Sequence, residues 1–434
     1  MPSSLATDYG YSEQEYFVRG HASAFREIGE WNTDGNWAVE PAERAPFTTR
    51  MIVRRPIDPA RFDGTVIIEW LNVSSGQDVD VIFAHAHTEL LRHGTVWVGV
   101  SAQRVGVEGG GATMTPPGVV PTPLKQWDPE RYASLSHPGD DFSYDIFSQA
   151  AIALVRRDGS DPLAGLEPRS LIAAGESQSA ARMVTYANAI QPLAKIFDGF
   201  LIHSRSSGGS VLRHDPVAQP AYAWIRADLG VPVLQFETET DILGLPFLPA
   251  RQPDTDSLRT WEVAGTAHLD QSLIDYRTSA ARPWDPPPGD ALTQACGAIN
   301  RGPQAAVLRK AIASLRDWVV GGEPPAHSPQ IEVRDGAIVR DELGIAVGGI
   351  RTPPVDAPVA TLRGDNVTGV GYICALFGST VPFSPDQLNR LYASREDYVA
   401  KVRASAESAV ANGHLLPEDA AAFIEQAEQI ELGQ

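Results

Sequence analysis

The sequence of 434 residues is poor in cysteine, in long apolar runs and in basic residues. Its two cysteines, Cys296 and Cys374, form no C-x-x-C pair, which excludes a zinc knuckle or a disulfide framework and predicts free thiols in a reducing compartment. No stretch reaches the roughly 18 apolar residues that span a bilayer. The start, MPSSLATDYGYSEQEYF, has neither the basic nor the apolar part of a signal peptide. We therefore expect a cytoplasmic protein.

Acidic residues outnumber basic ones by 54 to 35, which gives a formal net charge of −19. A surface of this sign repels nucleic acid and anionic membranes, so we expect neither as a partner. The charge says little about a small-molecule substrate, and it leaves open whether the chain forms a homo-oligomer. Hydrophobic residues make up 43%, enough for a sizeable core.

Short apolar runs alternate with segments of helical period through the first two-thirds of the chain. Runs such as VIIEW and LIAA are apolar on both faces, which is typical of buried parallel strands. This alternation predicts an α/β fold with a mostly parallel central sheet flanked by helices, and an antiparallel edge at the start. The predicted strands are 15–19, 48–54, 65–69, 95–101, 170–174, 197–203, 231–237 and 258–263. The predicted helices are 78–92, 141–157, 179–189 and 305–320.

Three irregular segments interrupt this pattern, at about 106–138, 206–230 and 270–304. Long loops in a compact domain are usually lids or binding loops, so we interpret these segments as lid or cap insertions in a catalytic domain of residues 1–324. The character changes again after Pro324, and we expect 325–434 to be an extension packed on that domain.

The most informative segment is SLIAAGESQSAARMVTYANAI, which contains the motif Gly175-Glu176-Ser177-Gln178-Ser179. An apolar strand followed by small residues around a serine, and then by a helix, is typical of the strained turn that carries a hydrolase nucleophile. Ser177 is the predicted nucleophile, and the N–H of Gln178 is a predicted oxyanion donor. The alternative is that Ser177 only caps the helix, a role for which Ser179 is better placed.

A serine hydroxyl needs a base, and in this fold the chain order is Ser, acid, His. We predict His268 as the base, because it follows a strand on a Gly-containing loop. The acid should come from the turn after VPVLQFET, where Asp241 is the first choice and Glu239 is close behind. Glu237 is third.

The second oxyanion donor should lie after the strand TVIIEW, where the backbone N–H groups of Leu71 and Asn72 are the candidates. Substrate-lining candidates are Gln103, His203, Tyr132 and His137, each near the carboxyl edge of the sheet or a helix start. For His203 the alternative is a core histidine with its hydrogen bonds satisfied, and for Tyr132 and His137 it is helix capping. His85 and His87 lie two apart on a helix and cannot share an ion, so no metal site is expected. The run Gly109–Gly111 lacks the ending of a phosphate-binding loop.

Around these residues the chain resembles a bacterial group of α/β-hydrolase domain proteins described as serine esterases of undefined substrate. The resemblance runs from about residue 69 to 360, and GESQSA is among its most specific motifs. It implies an α/β-hydrolase fold, no cofactor, and a triad on Ser177, His268 and either Asp241 or Glu239. The matching stretches are EWLNVSSGQD, VGVSAQRVGV, RYASLSHPGDDFSYDIFSQA, GESQSA, FDGFLIHSR, VLQFETETD, WEVAGTAHLD and GGIRTPPVDAPVA.

Three functions are compatible with these residues. The first is a hydrolase that cleaves a carboxylic ester or lactone through an acyl-enzyme, with a covered pocket for a partly apolar substrate. The second is an acyltransferase, which passes the same acyl group to an alcohol or amine. The third is a non-catalytic binder of small molecules, which would require a missing triad member.

Overall fold

An eight-stranded sheet forms the centre of the chain in the computed structural model, which describes residues 1–115, 120–156, 159–214, 219–280, 288–366 and 371–430. The strands of this sheet are β1 (Tyr11–Ile28), β2 (Ala38–Pro56), β3 (Thr65–Trp70), β4 (Val96–Val100), β5 (Ser170–Glu176), β6 (Gly199–His203), β7 (Val233–Thr238) and β8 (Leu258–Val263). Their spatial order is β1-β2-β4-β3-β5-β6-β7-β8. All eight correspond to predicted strands.

The six strands from β3 to β8 pair in parallel, whereas β1 and β2 pair antiparallel with each other and β2 pairs antiparallel with β4. The predicted α/β fold with an antiparallel edge is therefore confirmed. β1 and β2 are much longer than predicted, because they form a ribbon that is paired from Tyr11↔Pro56 to Ile28↔Ala38. Much of this ribbon is exposed, so its outer part carries no apolar run that could signal a strand.

Helices cover both faces of the sheet, as expected for strands that are apolar on both sides. Val66 and Ile68 of β3 pack in one core cluster, and Ile67 between them packs in the cluster on the opposite face. No helix among the described residues is long and apolar enough to cross a bilayer. The helices of the first 324 residues are α1 (Ser3–Tyr9), α2 (Val81–His93), α3 (Arg104–Glu108), α4 (Leu124–Trp127), α5 (Ser143–Arg156), α6 (Gln178–Thr185), α7 (Gln191–Ala194), α8 (Glu239–Leu243), α9 (Gln271–Ala280), α10 (Pro288–Cys296) and α11 (Gln304–Val319).

The three predicted insertions differ in content. Residues 270–304 were expected to be irregular, and this expectation is wrong, because α9 and α10 lie there. Where the structure describes them, residues 206–230 hold no helix or strand, and residues 106–138 hold only the end of α3, the short α4 and turns. Parts of the insertions, 116–119, 215–218 and 281–287, lie outside the described residues.

Residues 325–434 contain two short strand pairs and five helices within their described part. Backbone hydrogen bonds join Ile350 to β8, with the N–H of Ile350 2.7 Å from the carbonyl oxygen of Glu262. Arg309 of α11 donates to the carboxylate of Asp419 at 3.0 Å. The elements are β9 (Val333–Arg334), β10 (Ala337–Ile338), α12 (Pro353–Asp356), β11 (Ala360–Arg363), α13 (Tyr372–Leu376), β12 (Ser379–Pro382), α14 (Pro385–Leu391), α15 (Arg395–Ala411) and α16 (Pro417–Gln429).

A disulfide joins Cys296, the last residue of α10, to Cys374 of α13, so the prediction of free thiols is wrong. The two residues are 78 positions apart, and only the folded chain brings them together. They pack with Ile274, Leu292 and Phe377 in a small apolar cluster. Disulfides are typical of oxidising compartments, so the cysteines no longer support the expectation of a reducing one.

Candidate active site

Ser177 occupies the sharp turn between β5 and α6, with φ 58° and ψ −117°. This conformation is strained for a residue with a side chain, and the N–H of Ser177 is tied to the carbonyl oxygen of His203 at 2.9 Å. Gly175 permits the turn, because a Cβ at that position would lie 2.6 Å from the carbonyl oxygen of Ser179. The absence of a side chain at Gly175 therefore lets α6 pack directly against the end of β5.

His268 follows β8, and its side chain reaches across to the turn after β5. Its Nε2 atom lies 2.8 Å from Oγ of Ser177, and its Nδ1 atom lies 2.7 Å from Oδ1 of Asp241. A carboxylate can only accept, so Nδ1 carries the proton and Nε2 is free to accept the hydroxyl proton of Ser177. The backbone N–H of His268 donates to Oγ1 of Thr240 at 3.1 Å, which fixes the histidine to the loop that carries Asp241.

Asp241, and not Glu239, contacts the histidine. Asp241 is the third residue of α8, where its Oδ2 accepts from both the N–H and the hydroxyl of Thr238 at 2.7 Å. This capping interaction leaves Oδ1 for His268. Glu239 instead faces Arg340 at 2.6 Å and accepts from the N–H of Gly364 at 3.0 Å.

Glu237, the third choice, lies within β7 and is fully buried. Neither of its carboxylate oxygens accepts a hydrogen bond within the described residues. Burial raises the pKa of Glu237 well above its ordinary value, against the opposing charge of Arg205. Glu237 therefore belongs to the interior of the sheet and not to the contacts of His268.

A second carboxyl group, Glu176, also lies beside His268. Its Oε1 atom is 3.3 Å from Nε2 of His268, and its Oε2 atom accepts from the side-chain amide of Asn72 at 3.0 Å. Burial raises the pKa of Glu176 to about 7, although the positive charge on His268 opposes this. Burial alone lowers the pKa of His268, but the carboxylates of Asp241 and Glu176 outweigh burial and raise it. Glu176 was not among the site residues predicted from the sequence, although a residue directly before a predicted nucleophile must lie beside it.

The backbone groups around Ser177 correct one expectation about the oxyanion donors. Gln178 is the first residue of α6, so its N–H has no acceptor within the helix and lies next to the serine. The N–H groups of Leu71 and Asn72 are already used, because they donate to the carbonyl oxygens of Val100 at 3.3 Å and Val79 at 3.0 Å. The loop contributes the side chain of Asn72 to the site instead.

A cavity opens beside Ser177, and its wall is largely apolar. It extends from the loop after β3 to α9, α10 and the segment after α13, so two predicted insertions contribute to it. The apolar lining residues are Val79, Val81, Met114, Leu269, Leu273, Ile274, Leu292 and Phe377. The polar and charged lining residues are Asn72, Ser74, Ser75, Glu176, Ser177, His268 and Arg277.

The four predicted lining residues lie elsewhere and do not line the described part of this cavity. Gln103 bonds to the indole N–H of Trp70 at 3.0 Å and to Asp140 at 3.0 Å, below the surface. His137 is buried and its Nε2 lies 2.9 Å from the carbonyl oxygen of Ala102.

The other two of these residues also have structural partners. Tyr132 donates to Glu15 of β1 at 2.8 Å, beside a different, polar cavity. His203 is fully buried at the end of β6, where its Nε2 lies 3.1 Å from the amide of Gln304. Burial lowers the pKa of His203 well below its ordinary value. His203 therefore has the surroundings of a core histidine, which the sequence left open as its alternative.

His85 and His87 both lie on α2, but their side chains have different partners. Nε2 of His85 lies 3.3 Å from Asp270, and Nδ1 of His87 lies 2.8 Å from the carbonyl oxygen of Ala84. Within the described part of the chain, no group of three or more His, Cys, Asp or Glu side chains could hold a metal ion.

A mostly parallel sheet, a serine on the turn after β5 and a histidine on the loop after β8 define the chain as an α/β hydrolase. It belongs to the family whose model is described as an alpha/beta hydrolase domain, which matches residues 3–425. This confirms the fold that the sequence resemblance implied.

Among solved structures, the chain is similar to the esterase Est22, with 12% identity, a TM-score of 0.37, and coverage of 74% of this chain and 84% of the other. It is also similar to an esterase of the fungus Rhizomucor miehei, with 12% identity, a TM-score of 0.33, and coverage of 73% and 89%. A thermostable esterase from Pseudomonas putida ECU1011 shows 10% identity, a TM-score of 0.28, and coverage of 60% and 78%. No curated protein matches the sequence.

Proposed function

We propose that this chain is a serine hydrolase that cleaves a carboxylic ester or lactone through an acyl-enzyme on Ser177. One observation carries the proposal, namely the continuous chain of contacts from Oγ of Ser177 through the ring of His268 to Oδ1 of Asp241, at 2.8 and 2.7 Å. Hydroxyl, imidazole and carboxylate in this order are the parts that general-base activation of a serine requires.

In the proposed reaction, Oγ of Ser177 attacks the carbonyl carbon while Nε2 of His268 takes the hydroxyl proton. Asp241 orients the ring and stabilises the imidazolium that forms. Nε2 then gives the proton to the leaving alcohol, and an acyl-enzyme remains. A water molecule then attacks the acyl carbonyl carbon while Nε2 takes its proton. The acid is released when that proton passes from Nε2 to Oγ of Ser177.

The tetrahedral intermediate needs donors for its oxyanion. The N–H of Gln178, at the start of α6, is the first donor we propose. We propose the N–H of Val73 as the second, because the described residues offer it no acceptor. Val73 lies between Asn72 and Ser74, which both line the cavity.

The cavity indicates what kind of ester the site would take. Apolar side chains form most of its wall, and half of the apolar lining residues come from α9, α10 and the loop before α9. An aliphatic or aromatic acyl group would therefore be favoured over a charged one. Arg277 is the one cation among the lining residues of the described chain. A panel of p-nitrophenyl esters of rising acyl length, followed by lactones, would measure this preference directly.

A fluorophosphonate probe tests the nucleophile. The peptide of the wild-type protein that contains Ser177 should gain one phosphonyl group, with loss of fluoride from the probe, and Ser177→Ala should gain none. Ser179→Ala is the matched control, because Ser179 is buried two residues away and should leave labelling intact. A wild-type protein that stays unlabelled and hydrolyses no ester of the panel would overturn the proposal.

A further inference from the structure

Glu176 is a buried carboxyl group that the reaction outlined above does not use. It is the last residue of β5, its exposed fraction is 2%, and it lines the cavity. The side-chain amide of Asn72 donates both to Oε2 of Glu176 at 3.0 Å and to its backbone carbonyl oxygen at 3.1 Å. This pair of contacts holds the carboxyl group in one orientation.

The other oxygen, Oε1, is buried and accepts no hydrogen bond within the described residues. It lies 3.3 Å from Nε2 of His268, the same atom that lies 2.8 Å from Oγ of Ser177. A buried carboxylate oxygen without a donor is unfavourable unless a partner becomes available. Once Nε2 has taken the proton from Ser177, it becomes such a donor.

We propose that Glu176 is a positioning residue for the reaction, because its carboxylate provides a second counter-charge for the imidazolium of His268 on the side of Nε2. Asp241 acts at Nδ1, and Glu176 acts at the nitrogen that carries the moving proton. Glu176 takes no proton in the step. The proton passes from Ser177 to Nε2 and then to the leaving alcohol, while Oε1 keeps the ring aligned. This inference rests on the proposed hydrolase function.

The same contact has a consequence at low pH. Glu176 and His268 lie close enough to share one proton, and burial raises the pKa of Glu176 to about 7. A protonated Glu176 can donate to Nε2 and compete with the hydroxyl of Ser177. The titratable groups that act on Glu176 are His268, His85 and Asp241, and those that act on His268 are Asp241 and Glu176. Activity should therefore be lost at a higher pH than it would be without Glu176.

The pH profile of kcat/KM for a p-nitrophenyl ester, in wild type and in Glu176→Gln, tests this inference. The glutamine keeps the size of the side chain and an acceptor for Asn72. We expect the alkaline plateau to fall about tenfold, because the imidazolium loses a counter-charge worth about one pKa unit. We also expect the midpoint of the acid limb to move down by about one pH unit. A purely structural role would lower the plateau and leave the midpoint in place, and that result would overturn the inference.

Glu239→Gln is the matched control, since it removes another buried carboxylate that faces Arg340 and not His268. Its acid limb should keep the wild-type midpoint. If Glu176→Gln does not fold, Glu176→Asp keeps the charge but withdraws it by one methylene group. Its acid limb should then move down by less than the full shift, and an unchanged midpoint would contradict the inference.

A measurement without turnover separates this inference from the proposed function. In protein with ¹⁵N-labelled histidine, the midpoint of the His268 titration should be about one pH unit lower in Ser177→Ala/Glu176→Gln than in Ser177→Ala. Different midpoints, together with a wild-type protein that hydrolyses no ester, would reject the function and support the contact. Equal midpoints in an active enzyme would reject the role of Glu176 and leave the function intact.

Discussion

Two carboxylates on α8 are two residues apart, yet they face opposite directions. Asp241 contacts Nδ1 of His268, whereas Glu239 is bound by Arg340 and by the N–H of Gly364. We predict that Asp241→Asn lowers kcat by about 10³- to 10⁴-fold, because an amide favours the wrong tautomer of the ring. Glu239→Gln should keep kcat within about tenfold of wild type, since it touches no proposed reacting atom. Steady-state kinetics of the two variants compare these roles, and equal losses would contradict the assignment.

His268 must be neutral to accept a proton, which sets the sign of the pH dependence. Against the effect of burial, Asp241 and Glu176 raise the pKa of His268 above the ordinary value of 6.5. As the pH falls through this raised pKa, the neutral fraction decreases and kcat/KM should fall about tenfold per pH unit. The decline should begin at a higher pH than it would for a free histidine. Activity that stays constant down to pH 5 would be inconsistent with His268 as the base.

Single residues of the site could be predicted from the sequence where their position follows from the element before them. Ser177 and His268 each follow an apolar strand of the parallel sheet, so the carboxyl edge brings them together. The choice between Asp241 and Glu239 depends on how Thr238 begins α8, which the sequence does not reveal. Leu71 and Asn72 were poor oxyanion candidates because their N–H groups bond to distant carbonyl oxygens.

The turn between β5 and α6 depends on the absence of a side chain at Gly175. A Cβ there would lie 2.6 Å from the carbonyl oxygen of Ser179. Because this oxygen belongs to the backbone of α6, it can move away only if α6 shifts. We predict that Gly175→Ala lowers the free energy of unfolding by about 1–3 kcal/mol and reduces kcat by displacing Ser177. Gly208→Ala is the control, because its added methyl group meets nothing within 4 Å. Chemical denaturation and kinetics measure both effects.

The backbone of Ser177 gives a second prediction for the same turn. Its φ of 58° and ψ of −117° suit glycine better than any residue with a Cβ. Ser177→Gly should therefore be more stable than Ser177→Ala by about 1 kcal/mol, although we expect both variants to be inactive. Urea denaturation measures the difference. A glycine variant less stable than the alanine variant would show that the turn is not strained.

Elements with a strong apolar pattern were predictable, and those without one were not. All eight strands of the sheet and the helices α2, α5, α6 and α11 correspond to predictions made from periodicity. Most residues in the outer part of the β1–β2 ribbon are exposed or partly exposed, so this part has no such pattern. In α9 only Leu273, Ile274 and Tyr276 are buried, so its sequence has little helical signal.

For the molecule as a whole, the disulfide links α10, in the first 324 residues, to α13, in the part of the chain after residue 324. It closes a separation of 78 residues, and loop-closure entropy predicts a stabilisation of about 4 kcal/mol for a loop of this length. Three residues that pack on it, Ile274, Leu292 and Phe377, also line the cavity. Reduction with dithiothreitol should lower Tm and raise KM for longer esters.

The double variant Cys296→Ala/Cys374→Ala is the control for that prediction. It should show the lower Tm from the start and no further change with dithiothreitol. A wild-type Tm that does not respond to the reductant, with free thiols that titrate in the native protein, would show that the two cysteines are not joined in solution.

The proposed hydrolase function depends on a covalent bond between the acyl group and Oγ of Ser177. Rapid acid quenching during turnover of a p-nitrophenyl ester, followed by mass spectrometry of the peptides, tests this most directly. We predict a mass increase equal to the acyl group on the peptide that contains Ser177, which disappears when the substrate is exhausted. Turnover with no acyl group on that peptide, or turnover that persists in Ser177→Ala, would contradict an acyl-enzyme on Ser177.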